Sequence, residues 1–131
     1  MIGIDTNILV RFITQDDPYQ SAIANAFMAS LTADKPGFIP LVTIVELWWV
    51  LSRGYKLSRA QCIQATATLL ASQQLVIEAE PLVWDALLLV EQTNSDLSDC
   101  LIAGCARASG CNSVVTFDRN AVKATGMQLL T

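Results

Sequence analysis

Short runs of apolar residues alternate along the chain with longer stretches in which apolar residues recur at helical spacing. The short runs predict β-strands at residues 1–4, 38–40, 75–78, 113–116 and 127–130. The longer stretches between them predict helices. Alternation of strands and helices is typical of a parallel sheet that is covered by helices. The pattern therefore predicts one α/β domain over residues 1–131, with a short, mainly parallel central sheet.

Capping residues predict where the helices begin. A Ser, Thr or Asp at the N-cap, or a Pro at the first helical position, marks a helix start. Thr43 also precedes Glu46 by three residues, which is the spacing of a capping box. The predicted helix starts are Asp5, Pro18, Thr43, Ser58, Pro81, Ser98 and Asp118. The first six helices are predicted to run to about residues 13, 31, 53, 72, 91 and 110, and the last is short.

The composition narrows the chemistry that the chain can perform. Apolar residues make up 53% of the sequence and charged residues only 15%, whereas an average soluble domain has about 25% charged residues. Apolar surface is therefore expected to remain for a partner, which favours an oligomer or an obligate complex. The net charge is −4, and the sequence contains no His. This absence excludes imidazole acid–base catalysis and makes zinc sites and His-containing triads poor interpretations.

Cysteine spacing and hydropathy predict a cytoplasmic protein without a membrane span. The four Cys residues show no C-x-x-C spacing and no secreted disulfide framework, which indicates reduced and mostly buried thiols. The first residues lack the basic region of a signal peptide. No apolar run reaches the roughly 18 residues that are needed to cross a bilayer.

Four acidic residues lie in apolar or turn surroundings that seldom contain carboxylates: Asp5, Glu46, Asp99 and Asp118. An ionised carboxylate that is buried without a partner shifts its pKa or requires a counter-charge. No Lys or Arg lies within a few residues of Asp5 or Glu46 on their apolar stretches. A metal ion is the natural counter-charge, and Mg²⁺ and Mn²⁺ are the ions that carboxylates and water suit.

The predicted layout makes one pocket available to all four carboxylates. Asp5 and Asp118 each follow a strand and precede a helix, so we expect both at the carboxyl edge of the sheet, where open α/β sheets bind ligands. Glu46 and Asp99 lie within about one turn of a helix start and can lean over the same edge. Asp96, three residues before Asp99, is a fifth candidate because this spacing can place both carboxylates on one side.

Four sequence motifs, in order and at suitable spacing, resemble the PIN domain, specifically the VapC-type toxins of bacterial toxin–antitoxin pairs. The motifs are IDTNILV at the start, the TxxE of residues 43–46, SDLSDCLIA around Asp99, and the closing VTFDRN. Each motif alone is a weak signal. Four motifs in register over essentially the whole chain are a specific one.

The resemblance implies a three-layer α/β/α fold and an endoribonuclease that depends on Mg²⁺ or Mn²⁺. It also implies an RNA substrate, a homodimer and a cognate antitoxin protein that holds the enzyme inactive. The implied catalytic and metal-binding residues are Asp5, Glu46, Asp99 and Asp118, with Asp96 as an accessory acid and Thr6, Asn7 and Thr116 as orienting polar residues. Such a site permits phosphodiester hydrolysis by water, without a covalent intermediate.

Each acidic residue also has a simpler structural interpretation. Asp5 and Asp118 are favourable N-caps, and Glu46 can be the reciprocal half of a capping box with Thr43. Asp99 can simply favour the positive end of its helix. These explanations must all hold independently, and they do not account for a common edge of the sheet.

Two other function classes stay open at this point. A haloacid-dehalogenase-like phosphatase also carries an Asp after its first strand, but it requires a second Asp two residues later, where this chain has Asn7. A non-catalytic module with the PIN fold would bind a protein or RNA without cutting it. Trp48 and Trp49 are interpreted as core and interface packing rather than as a platform for stacked bases.

Overall fold

The computed structural model describes every residue from Met1 to Thr131. Its strands are β1 (Ile2–Gly3), β2 (Gly37–Ile39), β3 (Leu75–Ile77), β4 (Val115–Thr116) and β5 (Gln128–Leu129). Its helices are α1 (Thr6–Thr14), α2 (Pro18–Ser30), α3 (Leu41–Trp49), α4 (Arg59–Ala71), α5 (Glu80–Gln92), α6 (Leu97–Ala108) and α7 (Arg119–Thr125). The chain divides into two compact units, Met1–Glu80 and Pro81–Thr131.

A parallel three-stranded sheet lies in the first unit, with β2 between β1 and β3. Gly37 in β2 pairs with Ile2 and is buried. A Cβ atom added to Gly37 would lie 2.5 Å from Cδ1 of Ile4 and 2.9 Å from Cδ1 of Leu31. The middle strand therefore depends on a residue without a side chain, because neighbouring apolar groups already fill that space.

Local capping explains two helix starts in the first unit. The carboxylate of Asp17 accepts a hydrogen bond from the Gln20 N–H at 2.9 Å, and Pro18 occupies the first turn of α2. Ser58 and Gln61 form a reciprocal capping box at the start of α4. Both starts confirm the prediction made from Pro18 and Ser58, since each sequence signal is contained in a few adjacent residues.

The start of α3 differs from the prediction. The helix begins at Leu41 with Pro40 as its N-cap, and Thr43 is buried inside the first turn. The predicted capping box between Thr43 and Glu46 is therefore wrong. Instead, the carboxylate of Glu78 accepts a hydrogen bond from the Leu41 N–H at 2.8 Å. This cap comes from a residue that is distant in sequence, so local spacing could not reveal it.

Helix α3 is followed by a π-helical turn at Val50–Gly54, and a polar network anchors the residue after this turn. The Tyr55 hydroxyl donates to the Asp16 carboxylate at 2.7 Å, and Arg11 forms an ion pair with Asp16 at 3.1 Å. Hydrogen bonds from Tyr55 and Thr14, together with the charge of Arg11, lower the pKa of Asp16. The network thus links the end of α1 to the segment beyond α3.

The second unit contains a parallel pair of strands, β4 and β5. Ala103, Ala121 and Met127 form a buried cluster, and Val114 packs against it. Helix α7 is followed by its C-cap residue Gly126, whose φ of 77° lies in the left-handed region that favours glycine. The strands β4 and β5 are therefore connected by a short, well-defined helix.

The predicted α/β class with short parallel strands is confirmed. The five strands form a three-stranded and a two-stranded parallel sheet. Helix α6 begins at Leu97 with Asp96 as its N-cap, one residue before the predicted start at Ser98. Trp48 is buried, as predicted for a core residue, whereas Trp49 is 62% exposed. None of the helices is both long and apolar enough to span a bilayer.

Candidate active site

The first acidic residue, Asp5, lies between β1 and α1 and caps the helix. Its carboxylate accepts a hydrogen bond from the Thr6 N–H at 2.7 Å, and its backbone is extended. The acceptor atom is Oδ1. The interpretation of Asp5 as an N-cap is therefore confirmed. The side chain is exposed. Asp5 therefore combines a structural role with an accessible carboxylate at the carboxyl end of β1.

Thr6 joins Asp5 to Glu46. The Thr6 side chain is buried, with a residue exposure of 3%. Its hydroxyl donates a hydrogen bond to Oε1 of Glu46, while its N–H donates to Asp5. Thr6 therefore connects the start of α1 to α3. Its two donor groups, the N–H and the hydroxyl, each bind a different carboxylate. In the first unit, the structure brings together Asp5, Thr6 and Glu46.

The predicted burial of two carboxylates in the first unit is not observed. Asp5 and Glu46 are both exposed, so the expectation that burial makes these carboxylates costly is wrong. The reason for Glu46 lies in the helical period. Ile44 and Leu47 are buried, whereas Glu46 shares the solvent-facing side of α3 with Val42 and Trp49. An acidic residue in an apolar stretch of sequence is thus not necessarily a buried one.

Asp99 has the perturbed environment that the sequence predicted. It lies in the first turn of α6 and is half-buried. Burial is the main cause that raises the pKa of Asp99, and the negative charges of Asp96 and Asp118 raise it further. The second unit therefore brings three carboxylates close enough for their charges to interact. A carboxyl group with a raised pKa beside like charges is typical of a functional site.

Asp96 and Asp118 differ in what their side chains do. Asp96 occupies the N-cap position of α6, yet its carboxylate makes no capping hydrogen bond. Asp118 occupies the N-cap position of α7, and its Oδ1 accepts from the Asn120 N–H at 2.8 Å and the Ala121 N–H at 3.4 Å. The cap interpretation is therefore confirmed for Asp118. The carboxylate of Asp96, the accessory candidate, is therefore not used for helix capping, whereas that of Asp118 is.

The remaining predicted polar residues have different surroundings. The Thr116 hydroxyl accepts a hydrogen bond from the Asp118 N–H at 3.0 Å, so it contacts the backbone of an acidic residue rather than its carboxylate. Asn7 is exposed and lines a groove with Arg11 and Tyr19. Of these polar residues, only Thr6 donates hydrogen bonds to carboxylates of the predicted acidic residues, namely Asp5 and Glu46.

A buried serine before α6 was not predicted from the sequence. Ser95 has an exposure of 3%, and its hydroxyl lies 2.6 Å from the Thr93 hydroxyl and 3.1 Å from the Cys100 sulfur. These contacts fix the chain immediately before Asp96. In the sequence, a serine next to an acidic residue indicates only a loop. The burial of Ser95 in the structure indicates that it positions Asp96.

The acidic residues supply the kind of donor atom that a hard metal ion needs. Carboxylate oxygen is the donor that Mg²⁺ and Mn²⁺ prefer, and Asp99 lies among negative charges that a cation would neutralise. The donor chemistry therefore fits a hard divalent ion. The structure contains no group of three or more Cys, Asp or Glu side chains already arranged to hold one. Each hydrogen bond to Asp5, Glu46 and Asp118 uses a single carboxylate oxygen.

The chain is similar to known proteins along most of its length. Residues 2–126 match the PIN domain family. A VapC ribonuclease from Aquifex aeolicus (strain VF5) is 27% identical over 116 residues, which cover 88% of this chain and 86% of that protein. The matched region includes all the acidic residues described above.

Proposed function

Because the chain belongs to the PIN domain family, we propose that it is a metal-dependent endoribonuclease and the toxin of a toxin–antitoxin pair. The observation that carries this proposal is the placement of the half-buried Asp99 beside Asp96 and Asp118, whose negative charges contribute to its raised pKa. The similarity to a VapC ribonuclease supports RNA as the substrate. The family match extends across both compact units, which supports a single functional domain over residues 1–131.

Five carboxylates are proposed to serve catalysis. Asp5, Glu46 and Asp99 are assigned as direct or water-mediated ligands of Mg²⁺ or Mn²⁺, and Asp118 and Asp96 complete the acidic set. When bound, the divalent ion supplies positive charge to the phosphate and makes water a better nucleophile at neutral pH. The chain holds the carboxylates in position through the Thr6 hydroxyl on Glu46 and through the buried hydroxyl of the residue before Asp96.

The proposed reaction is hydrolysis of an internal phosphodiester bond. A water oxygen forms a bond to phosphorus, the bond between phosphorus and the 3′ oxygen breaks, and a proton passes to that leaving oxygen. The products are a 5′-phosphate and a 3′-hydroxyl. Attack by the neighbouring 2′-hydroxyl would instead leave a cyclic phosphate. The chain contains no His to assist that route, so analysis of the product ends distinguishes the two mechanisms.

Partners are part of the same proposal. The exposed side of α3 carries Val42 at 74% exposure and Trp49 at 62% exposure. Large apolar side chains on one face are typical of an interaction surface, and they support the proposed homodimer. The proposed second partner is a cognate antitoxin protein that places a basic side chain beside the acidic residues. The proposed location is the cytoplasm.

The decisive test is cleavage of RNA by purified protein with Mg²⁺ or Mn²⁺, and its loss in EDTA. Asp85→Asn is a matched control because Asp85 is an exposed acidic residue on α5 outside the proposed site. It should cut RNA as the parent does, whereas Asp99→Asn should not. Cleavage that continues in chelator would contradict metal dependence. Binding of RNA without cleavage under any divalent ion would favour the non-catalytic module.

A further inference from the structure

A cavity in the second unit lies on the same two chain segments as Asp96 and Asp118. Thr93, Asn94, Asn120 and Lys123 line it with Ala124, and its volume is about 250 Å³. No carboxylate lines the cavity. The Thr93 hydroxyl donates to the Leu89 carbonyl at 2.7 Å. The side-chain donors of the lining that can serve an anion are therefore the amides of Asn94 and Asn120 and the ammonium group of Lys123.

Helix geometry places the donors from α7 together. Asn120, Lys123 and Ala124 are three and four residues apart, so they share one face of the helix. Asn120 and Lys123 are both exposed, and together with Asn94 they line the cavity. The cavity is open to solvent and can receive a ligand group that is part of a longer molecule.

The cavity is adjacent in sequence to the acidic residues on both sides. Asn94 lies two residues before Asp96, and Asn120 lies two residues after Asp118. Two residues of extended chain span at most about 7 Å. A ligand that contacts the cavity is therefore close to the carboxylates that raise the pKa of Asp99.

We propose that this cavity, with Lys123 as its cation, binds a phosphate group of the RNA strand next to the one that is cut. The inference rests on the proposed ribonuclease function, which supplies RNA as the ligand. A protein with a net charge of −4 has little general attraction for RNA. A local phosphate contact outside the acidic group gives the strand a fixed position without requiring a basic surface, since phosphate contacts position nucleic acids independently of base sequence.

The charge of Lys123 gives the proposal a quantitative signature. Each phosphate that a protein neutralises on single-stranded nucleic acid adds roughly 0.7 to the slope of log affinity against log salt concentration. Lys123→Gln should therefore lower that slope by about 0.7. Over a fourfold rise in salt, the parent should lose roughly threefold more of its affinity than the variant does.

The test measures binding of a labelled single-stranded RNA by fluorescence anisotropy in EDTA, with Asp99→Asn as the parent background. RNA stays intact under these conditions, so the result is independent of whether the protein is a nuclease. Lys35→Gln is the matched control, because Lys35 is an exposed lysine that does not line the cavity. Asn94→Asp is a second variant, and it adds a negative charge to the lining.

The expected result is a smaller salt slope and weaker binding for Lys123→Gln, weaker binding for Asn94→Asp, and parental behaviour for Lys35→Gln. Equal effects of the two lysine variants, unchanged binding by Lys123→Gln, or no RNA binding by the parent would each overturn the subsite. Circular dichroism verifies that the variants are folded. If the binding results are as expected but the native chain does not cut RNA with Mg²⁺ or Mn²⁺, the proposed function fails and the RNA-binding subsite stands.

Discussion

The hydroxyl of Thr6 donates a hydrogen bond to the carboxylate of Glu46, although 40 positions separate the two residues in the chain. Thr6 is the first residue of α1, and Glu46 lies near the middle of α3. The same threonine donates its N–H to Asp5. One buried residue therefore orients two of the carboxylates that are proposed to bind metal, and it does so from the start of a helix that those contacts also stabilise.

The Thr6 contact predicts a specific loss of activity. Thr6→Val keeps the shape of the side chain and removes the donor, so the Glu46 carboxylate loses its orientation. Loss of a group that positions a metal ligand typically costs about 10- to 100-fold in metal affinity or activity. We expect a loss of this size in kcat/KM, with a metal titration that shifts to higher Mn²⁺ concentration.

Thr6→Ser is the matched control, because serine retains the hydroxyl at the same position. It should keep most of the activity and a metal dependence close to that of the native protein. Thermal melting separates positioning from folding. If Thr6→Val cuts RNA at the native rate at low Mn²⁺ concentration, the hydrogen bond to Glu46 is only structural.

Asp99 predicts opposite effects on activity and stability. Asp99→Asn removes a proposed metal ligand and should lower cleavage by more than roughly 100-fold, a larger loss than that of a supporting residue. In EDTA the same variant should melt at a higher temperature than the native protein. The reason is that burial and the charges of Asp96 and Asp118 make the ionised form of Asp99 unfavourable.

The stability effect of Asp99 should depend on pH. The folded-state pKa of Asp99 is raised above its ordinary value of 3.8, so the folded protein binds a proton more readily than the unfolded chain. The native protein therefore loses stability as the pH rises from 3.8 through the raised pKa. The melting advantage of Asp99→Asn should be present at neutral pH and should disappear as the pH falls towards 3.8. An advantage that is independent of pH would assign the effect to packing.

The sequence predicted the fold wherever the signal is local. The starts of α2 and α4 were found because Pro18 and Ser58 carry their capping information within a few residues. The start of α3 was misplaced because its cap, Glu78, comes from the segment after β3. Helix capping by distant side chains depends on tertiary structure, which the spacing of neighbouring residues does not contain.

The candidate site shows the same division between local and tertiary information. The acidic residues could be identified from their positions after predicted strands and near helix starts. Their environments could not, because Glu46 lies in an apolar stretch and is nevertheless exposed, whereas Asp99 is half-buried. The buried hydroxyls of Thr6 and Ser95 also required the structure, since a threonine or serine near an Asp has the same sequence signature whether it contacts solvent or another helix.

Substitution of Gly37 by alanine should destabilise the first unit. In Gly37→Ala, the new methyl group would overlap with Ile4 and Leu31, at 2.5 Å and 2.9 Å from their Cδ1 atoms. Overpacking of this kind typically costs about 1–3 kcal/mol. We expect a loss of this size in the free energy of unfolding, measured by urea denaturation.

Gly3→Ala is the control for this substitution. Gly3 lies on the neighbouring strand β1, where an added Cβ meets no atom within 4 Å. It should leave stability unchanged or raise it slightly, because alanine restricts the unfolded chain more than glycine does. Equal losses at both positions would show that the effect follows from the residue type and not from the packing around Gly37.

Asp118 provides the sharpest separation of capping from catalysis. Its Oδ1 caps α7 through the Asn120 and Ala121 N–H groups, and Oδ2 makes neither of these bonds. Ser caps a helix about as well as Asp, whereas Ala costs about 0.5–2 kcal/mol. Asp118→Ser should therefore keep the native melting temperature and lose cleavage activity, with partial recovery at high Mn²⁺ concentration. Asp118→Ala should lose both stability and activity.

Initial cleavage rates across a metal titration, together with melting curves for both variants, decide the role of Asp118. If Asp118→Ser cuts RNA at the native rate at low metal concentration, Asp118 is a cap alone and Asp96, whose carboxylate caps no helix, takes its place in the acidic set.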